Sequence, residues 1–333
     1  RWICLRARAK EADSTQRMKL NRKSHGAENN FKGRQISGYV LLAAGILFWA
    51  GNAVIGRAAA VAEIPPLTLN FFRWAIALIL FLMFFGRSTY KQRRILWKSR
   101  KFLLIYSILT VVGFNCTFYV ALQTTTALQA TLIQSILPVL VLLLGLLFLK
   151  TRITNRQWWG VLFSISGAVV IIIRGDWEVI KLLRIQQGDI WALVAVILWA
   201  LQAFLMRWKP ADIHIMAFMT ALAGIGVLIM TPLYLWEFYS VRATPFNQET
   251  FIFFLYLGIF AGFLGTTAWN EGTYRTGGTQ AGYFGNLYPI FAGGLAILLL
   301  GETLFWYHIV GAILVVAGIW LAIFYKAAEP SVN

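Results

Sequence analysis

The chain has 333 residues, of which 59% are hydrophobic and only 13% are charged. Soluble domains contain about 45–50% apolar and about 25% charged residues, so this composition excludes an ordinary water-soluble domain. A net charge of +17 would suit a nucleic-acid partner, but the basic residues crowd the N-terminal segment and short loops between apolar blocks. That placement is typical of membrane proteins, and it predicts membrane lipid and no nucleic acid as partners.

Ten apolar blocks follow one another along the chain, and each is about long enough to cross a bilayer as a helix. Helices are expected because they satisfy their own backbone hydrogen bonds in lipid. The predicted spans, helices 1 to 10, cover 38–60, 66–86, 102–123, 125–148, 155–173, 189–208, 214–236, 250–273, 278–300 and 304–326. The fold class predicted is therefore an all-α membrane protein with ten transmembrane helices.

The positions of Lys and Arg predict how these helices are oriented. With the N-terminus inside, 24 of the 30 Lys and Arg residues lie in inner segments, 5 lie in outer loops, and Arg73 lies within helix 2. Cytoplasmic loops carry such an excess, so both termini are predicted to be cytoplasmic. Residues 1–36 are basic and contain no apolar signal-peptide core, so we expect a basic cytoplasmic tail. Met18 fits a natural start, which leaves open whether residues 1–17 are native.

The chain repeats itself with an offset of 150 or 151 residues. The matching positions, first repeat and then second, are Gly38 and Gly188, Trp49 and Trp199, Asn52 and Gln202, Pro138 and Pro289, Gly160 and Gly311, and Gly167 and Gly318. Because five helices per repeat is an odd number, the second copy is inserted upside down. Inverted repeats are typical of transporters, with the binding site near the midplane. We predict two inverted five-helix repeats, over 37–174 and 186–326.

Several motifs carry a family resemblance. Trp-Ala follows the apolar part of helices 1 and 6, Arg73 lies in helix 2, and Leu300-Gly301-Glu302 closes helix 9. In these features the chain resembles the EamA-type ten-helix members of the drug/metabolite transporter superfamily. The first repeat departs from the family pattern, with Lys150-Thr151 where Gly-Glu is common, so a role shared by two symmetric glutamates is in doubt. The resemblance implies export of amino acids and related metabolites across a bacterial inner membrane.

Polar and aromatic residues inside the spans are candidates for a transport pathway, because polar groups deep in lipid are costly unless they face a partner or a wet cavity. Asn52 and Gln202 are equivalent in the two repeats, and so are Ser135 and Asn286, each three residues before a helix proline. The predicted lining of a central solute cavity is Trp49, Asn52, Tyr119, Ser135, Trp199, Gln202, Tyr283 and Asn286. The alternative is that these amides and hydroxyls only join neighbouring helices.

Two readings stay open for each of four other residues. Arg73 either holds a substrate carboxylate through a bidentate pair or caps helix-end and loop carbonyls. Glu271 either couples transport to protons or forms an ion pair with Arg275, four residues later. Pro138 and Pro289 each remove a backbone hydrogen bond and bend their helix, as gate hinges or as static kinks.

No arrangement of residues indicates a metal, a cofactor or catalytic chemistry. Cys4 and Cys116 are far apart, His214 and His308 fall near opposite membrane faces, and Glu302 suits a helix-end contact. We predict a secondary transporter, not an enzyme, that moves small metabolites such as amino acids by alternating access, with efflux as its direction. The alternatives are a membrane-embedded enzyme acting on lipid-linked substrates and a non-transporting membrane receptor or assembly protein.

Overall fold

The computed structural model describes residues 35–149, 154–176 and 186–321, apart from the side chains of Thr279 and Tyr283. These residues form helices and loops without strands, and the helices follow the predicted blocks. In chain order they are α1 (Gln35–Val61), α2 (Pro66–Lys91), α3 (Arg100–Thr124), α4 (Ala127–Leu149), α5 (Asn155–Ile172), α6 (Gln187–Leu205), α7 (Ile215–Ser240), α8 (Gln248–Thr276), α9 (Gly278–Gly285 and Tyr288–Leu300) and α10 (Trp306–Ile319). A short helix, Arg93–Lys98, links α2 to α3.

Seven of these helices, α1 to α4 and α6 to α8, are long and apolar enough to cross a membrane. The other three, α5, α9 and α10, lie at the positions predicted to complete the ten. Large apolar side chains cover the outside of the bundle, for example Leu228 (74% exposed) and Leu298 (81% exposed). A soluble monomer rarely exposes so much apolar surface. The prediction of an all-α membrane protein is confirmed.

Equivalent helices α2 and α7 pack against each other in opposite directions. At one end of this pair, the Gln92 side chain bonds the backbone of Asp212 (3.4 Å) and His214 (3.0 Å). At the other end, Arg242 donates to the Glu63 carbonyl oxygen (3.0 Å). Each contact joins the residue just after one helix, or the next one, to the residues just before the other helix, so the two contacts are counterparts. This pseudo-twofold relation is the one that inverted repeats produce.

Helices α5 and α10, also equivalent, approach each other closely at paired glycines. A Cβ added at Gly167 would lie 2.6 Å from the Gly311 carbonyl oxygen, and one at Gly318 would lie 2.5 Å from the Gly160 carbonyl oxygen. An offset of 151 residues converts one contact into the other. Small residues permit such close approach of helices in membranes. The second pair of equivalent helices is therefore also antiparallel.

Helices α4 and α9 are interrupted at equivalent positions, 135–136 and 286–287. Each interruption comes just before a proline, Pro138 or Pro289. Proline has no N–H to donate, and its ring clashes with the carbonyl four residues earlier, so the regular helix stops there. The bends predicted from sequence are thus present as breaks, and their action as hinges stays a prediction.

Helices α3 and α8 each contain a π-helical segment that the sequence analysis did not predict, Ile108–Phe114 and Tyr256–Leu264. Such segments are frequent at functional sites because they disturb the regular backbone hydrogen bonding. One carbonyl in the first segment, that of Val111, accepts a hydrogen bond from Nδ2 of Asn70 on α2 (2.7 Å). The π-helical segments therefore give side chains of neighbouring helices a backbone partner.

Candidate functional site

A buried polar network joins α1, α2 and α3. Arg73 Nη1 donates to Asn115 Oδ1 and to the Tyr119 hydroxyl (3.2 Å), which in turn donates to Asn52 Oδ1 (2.5 Å). Asn115 Nδ2 donates to the carbonyl oxygen of Thr110 (2.6 Å) in the π-helical segment of α3. None of Asn52, Arg73, Asn115 and Tyr119 is more than 6% exposed. We call these four residues the central network.

The guanidinium of Arg73 lies two turns into α2 and has no counter-ion within the described ranges. No carboxylate oxygen there lies within 4.0 Å of it. Its buried Nε also has no hydrogen-bond partner in that part of the chain. Both hydrogen bonds from Nη1 go to side chains, not to the helix-end carbonyls of the capping alternative. An unpaired arginine deep in a membrane helix costs about 2.5–3.5 kcal/mol on insertion scales.

Aromatic residues of the second repeat lie close to the central network. Tyr288 on α9 is only 7% exposed and lies close enough to Arg73 for the two groups to interact electrostatically. Its ring meets that of Trp199 on α6 edge-on, with 6.0 Å between centroids, and Trp199 also contacts Phe114 on α3 at 5.1 Å. The central network therefore lies where the two repeats meet, which is the location expected for a transporter's binding site.

Two members of this site were missed by sequence reasoning. Asn115 is an amide within an apolar block, and the rule on intramembrane polar groups that selected Asn52 applies to it equally. Tyr288 is an aromatic residue inside helix 9, so the criterion that selected Tyr283 applies to it as well, but only the fold brings it towards Arg73.

Asn52 and Gln202 occupy equivalent positions but do not lie together. Gln202 is beside Tyr106, at the end of α6 nearer Leu205, whereas Asn52 joins the central network in the half of α1 nearer Val61. Equivalent residues of inverted copies meet only if they lie at the midplane, and these two lie off it on opposite sides.

Trp49 and Ser135, two more predicted lining residues, bond backbone carbonyls. Trp49 Nε1 donates to the Ala261 carbonyl oxygen in the π-helical segment of α8 (3.2 Å). The Ser135 hydroxyl donates to the Leu132 carbonyl oxygen (2.5 Å), which also accepts from the backbone N–H of Ser135 at the break in α4. These contacts fit the alternative interpretation, in which polar groups bond backbone or neighbouring helices. Binding of solute by Trp49 and Ser135 stays a prediction.

The two remaining lining candidates belong to α9. Asn286 is half-buried in the interruption of that helix. Tyr283 has its side chain outside the described part of the structure. Their place in a central cavity stays a prediction.

Glu271 forms an ion pair with Arg275 one turn later on α8. The distance from Arg275 Nε to Glu271 Oε1 is 2.7 Å, and Arg275 Nη1 also donates to the Ser37 hydroxyl on α1 (2.9 Å). The two side chains of the pair are 41% and 32% exposed, and such a pair contributes little to stability. The structure therefore shows the ion-pair alternative, and proton coupling at Glu271 stays a prediction.

A second polar cluster lies where the α3–α4 turn meets the second repeat. Asp189, which is 0% exposed, accepts hydrogen bonds from the Thr125 hydroxyl (2.5 Å) and the Gln129 amide (3.3 Å). Gln129 Oε1 lies 3.0 Å from Nε2 of His308. Glu302 accepts from the first two backbone N–H groups of α4, both at 2.8 Å, as expected of a helix-end contact. The described residues contain no group that could hold a metal ion.

A cavity of about 410 Å³ lies at the opposite end of the bundle, between the α2–α3 and α6–α7 links. It is lined by Lys98, Ser99, Arg100, Lys101, Phe102, Trp208 and Pro210. This cavity belongs to the basic loops that the sequence predicts to face the cytoplasm, where cationic side chains attract anionic lipid headgroups. It is distinct from the central network.

Residues 36–173 and 186–324 each match the EamA-like transporter family. The chain belongs to this family, with one family unit in each repeat. It is similar to the uncharacterized transporter YyaM of Bacillus subtilis (strain 168), with 28% identity over 253 residues that cover 75% of this chain and 81% of the relative. It is also similar to an uncharacterized transporter of Archaeoglobus fulgidus, with 27% identity over 290 residues that cover 85% of this chain and 96% of that one.

A solved crystal structure of another protein shows the same fold. It gives a TM-score of 0.56 at 16% identity, and the match covers 88% of this chain and 97% of that one. The resemblance to EamA-type transporters is thus confirmed. With its apolar helices, this membership makes the protein an integral membrane transporter, in keeping with the prediction that it is not an enzyme.

Proposed function

We propose that the protein is a secondary transporter that moves amino acids or related small metabolites out of the cell. The observation that carries this proposal is the central network, in which a buried arginine without a described counter-ion lies at the boundary between two inverted repeats. Arginine recognises carboxylates through two parallel hydrogen bonds. The neighbouring rings of Tyr119, Tyr288 and Trp199 favour a solute with some apolar surface.

Alternating access follows from the same architecture. Because α2 packs on α7 and α5 on α10 with pseudo-twofold symmetry, rocking of one repeat against the other exchanges the contacts at the two faces. The interruptions before Pro138 and Pro289 are the proposed hinges. The distribution of Lys and Arg supports the proposal that both termini lie in the cytoplasm. The family resemblance supports the bacterial inner membrane as the location of the protein.

The alternative of an enzyme acting on lipid-linked substrates is less well supported. Such an enzyme needs acidic, histidine or basic groups gathered around a reacting atom. Three described acids are instead engaged in holding helices. The buried Asp189 binds Thr125 and Gln129, while the buried Glu237 and the partly buried Glu302 accept from backbone N–H groups.

The test is solute flux in liposomes that contain the purified protein, run against a panel of amino acids and related carboxylates. We expect flux of at least one such solute above that of protein-free vesicles. A pH gradient should accelerate this flux if protons are coupled to it, and Glu271→Gln should remove the acceleration. Absence of flux for every solute in the panel would contradict the proposed function.

A further inference from the structure

The second repeat shows that the fold does not require a cation at the position of Arg73. Helices α2 (Pro66–Lys91) and α7 (Ile215–Ser240) have the same length and align with an offset of 149 residues, which relates Arg73 to Leu222 on α7. Leu222 is 1% exposed, so this buried position is filled by an apolar side chain. Both repeats build the same helix arrangement, one with an arginine and one with a leucine. The charge of Arg73 therefore calls for an explanation other than packing.

The buried acid Glu237 binds the start of α2 and does not pair with Arg73. Glu237 of α7 accepts hydrogen bonds from the backbone N–H groups of Leu67 (3.1 Å) and Thr68 (2.6 Å) and from the Thr68 hydroxyl (2.9 Å). Thr68 precedes Arg73 by more than one helical turn. A carboxylate at a helix N-terminus also gains from the helix dipole, which favours its staying there. None of the described acids therefore balances Arg73, which leaves that place open to an anionic solute.

Two backbone carbonyl oxygens of α3 that take part in polar contacts with α2 or the central network already accept hydrogen bonds. The carbonyl oxygens of Thr110 and Val111, in the π-helical segment of α3, accept from Asn115 (2.6 Å) and Asn70 (2.7 Å). Asn70 Oδ1 is buried and has no partner within the described ranges, but this amide oxygen is neutral. An ammonium group would therefore lie near the guanidinium without a counter-ion, and like charges repel strongly where water is excluded.

We propose that the central network selects solutes by net charge and takes a monoanionic carboxylate in preference to a zwitterionic amino acid. This inference rests on the proposed transport function and narrows its substrate class. The carboxylate completes the hydrogen bonding of Arg73 at Nε, and the rings of Tyr119, Tyr288 and Trp199 face the apolar part of the solute. A cation of the same shape is excluded because it adds a second positive charge.

The test uses compounds that share a phenyl ring and differ in charge: 3-phenylpropionate and phenyllactate as monoanions, phenylalanine as the zwitterion and phenethylamine as the cation. Each is measured at neutral pH for binding to the purified full chain and for flux in liposomes. We expect the monoanions to bind at least about tenfold more tightly than phenylalanine, which corresponds to about 1.4 kcal/mol. Phenethylamine should neither bind nor move.

Two variants locate the selectivity. Arg73→Gln removes the charge and should bring the affinities for phenyllactate and phenylalanine to within about twofold of each other, whereas Arg73→Lys keeps the charge and should keep the preference. Equal or tighter binding of phenylalanine by the unmodified protein overturns charge selection and leaves transport of amino acids standing. An undiminished preference for anions in folded Arg73→Gln also overturns it. If no compound binds or is transported, both charge selection and the proposed transport function are contradicted.

Discussion

Replacing Gly167 with leucine is expected to prevent the recovery of folded protein from membranes. Even a single Cβ at this position would lie 2.6 Å from the carbonyl oxygen of Gly311 and 2.9 Å from the backbone nitrogen of Val315. These are backbone atoms of α10 and cannot rotate away as a flexible side chain can. Overpacking a well-packed interior by a few methylene groups costs typically about 1–3 kcal/mol or more. Size-exclusion chromatography of detergent extracts measures the loss.

The alanine variants provide the matched comparison. Gly167→Ala adds one methyl group at the crossing of α5 and α10 and should lower the melting temperature in detergent. Gly294→Ala makes the same change within α9, where no neighbouring atom lies within 4 Å of the added Cβ, and should leave the melting temperature unchanged or slightly raised, because alanine favours helix. Equal melting temperatures for the two variants would contradict close packing of α5 on α10.

Replacing Asn52 with leucine is expected to abolish transport while the protein still folds. The substitution removes the acceptor of the Tyr119 hydroxyl and leaves its buried O–H donor unsatisfied, at a cost of about 1–3 kcal/mol. Tyr119 is also a partner of Arg73, so the guanidinium loses its fixed position. We expect Gln202→Leu to abolish transport as well, because Gln202 is the equivalent residue of the second repeat. Flux per folded protein in liposomes measures both effects.

A control for these variants is Thr231→Ala on α7. The Thr231 hydroxyl donates within its own helix to the carbonyl oxygen of Val227 (2.8 Å), so its removal leaves no polar group of another helix unpaired. This variant should retain the flux of the unmodified protein. Unchanged flux in both Asn52→Leu and Gln202→Leu would remove these residues from the transport pathway.

Much of the fold could be predicted because it depends on the length of the apolar blocks and on repeated positions, both of which can be read from the sequence. Apolar blocks of sufficient length give the spans, and paired glycines such as Gly160 and Gly311 reveal the repeat before any contact is known. The π-helical segments could not be predicted, because one extra residue in a turn changes the backbone without changing composition. The short helix Arg93–Lys98 and the exact positions of the breaks in α4 and α9 were also visible only in the structure.

The site was predicted only in part, because its contacts join residues that are distant in sequence. Arg73 and Asn115 are 42 residues apart, and their hydrogen bond depends on which faces of α2 and α3 meet. Symmetry of the sequence also suggested that Asn52 and Gln202 share a site, but the depth of each residue in its helix decides this. Burial of Asp189 at the first turn of α6 was missed because an acid at a helix start is usually solvated.

The central claim is that the two five-helix units are inserted with opposite polarity, and the loops that follow α2 and α7 test it directly. Exposed Arg93 lies just after the end of α2, and exposed Ala243 lies just after the end of α7. Each is changed to cysteine in a chain with Cys4 and Cys116 replaced by alanine, and labelled with a membrane-impermeant thiol reagent from each side. Opposite polarity predicts that the two cysteines are labelled from opposite sides of the membrane. Labelling of both from the same side would contradict it.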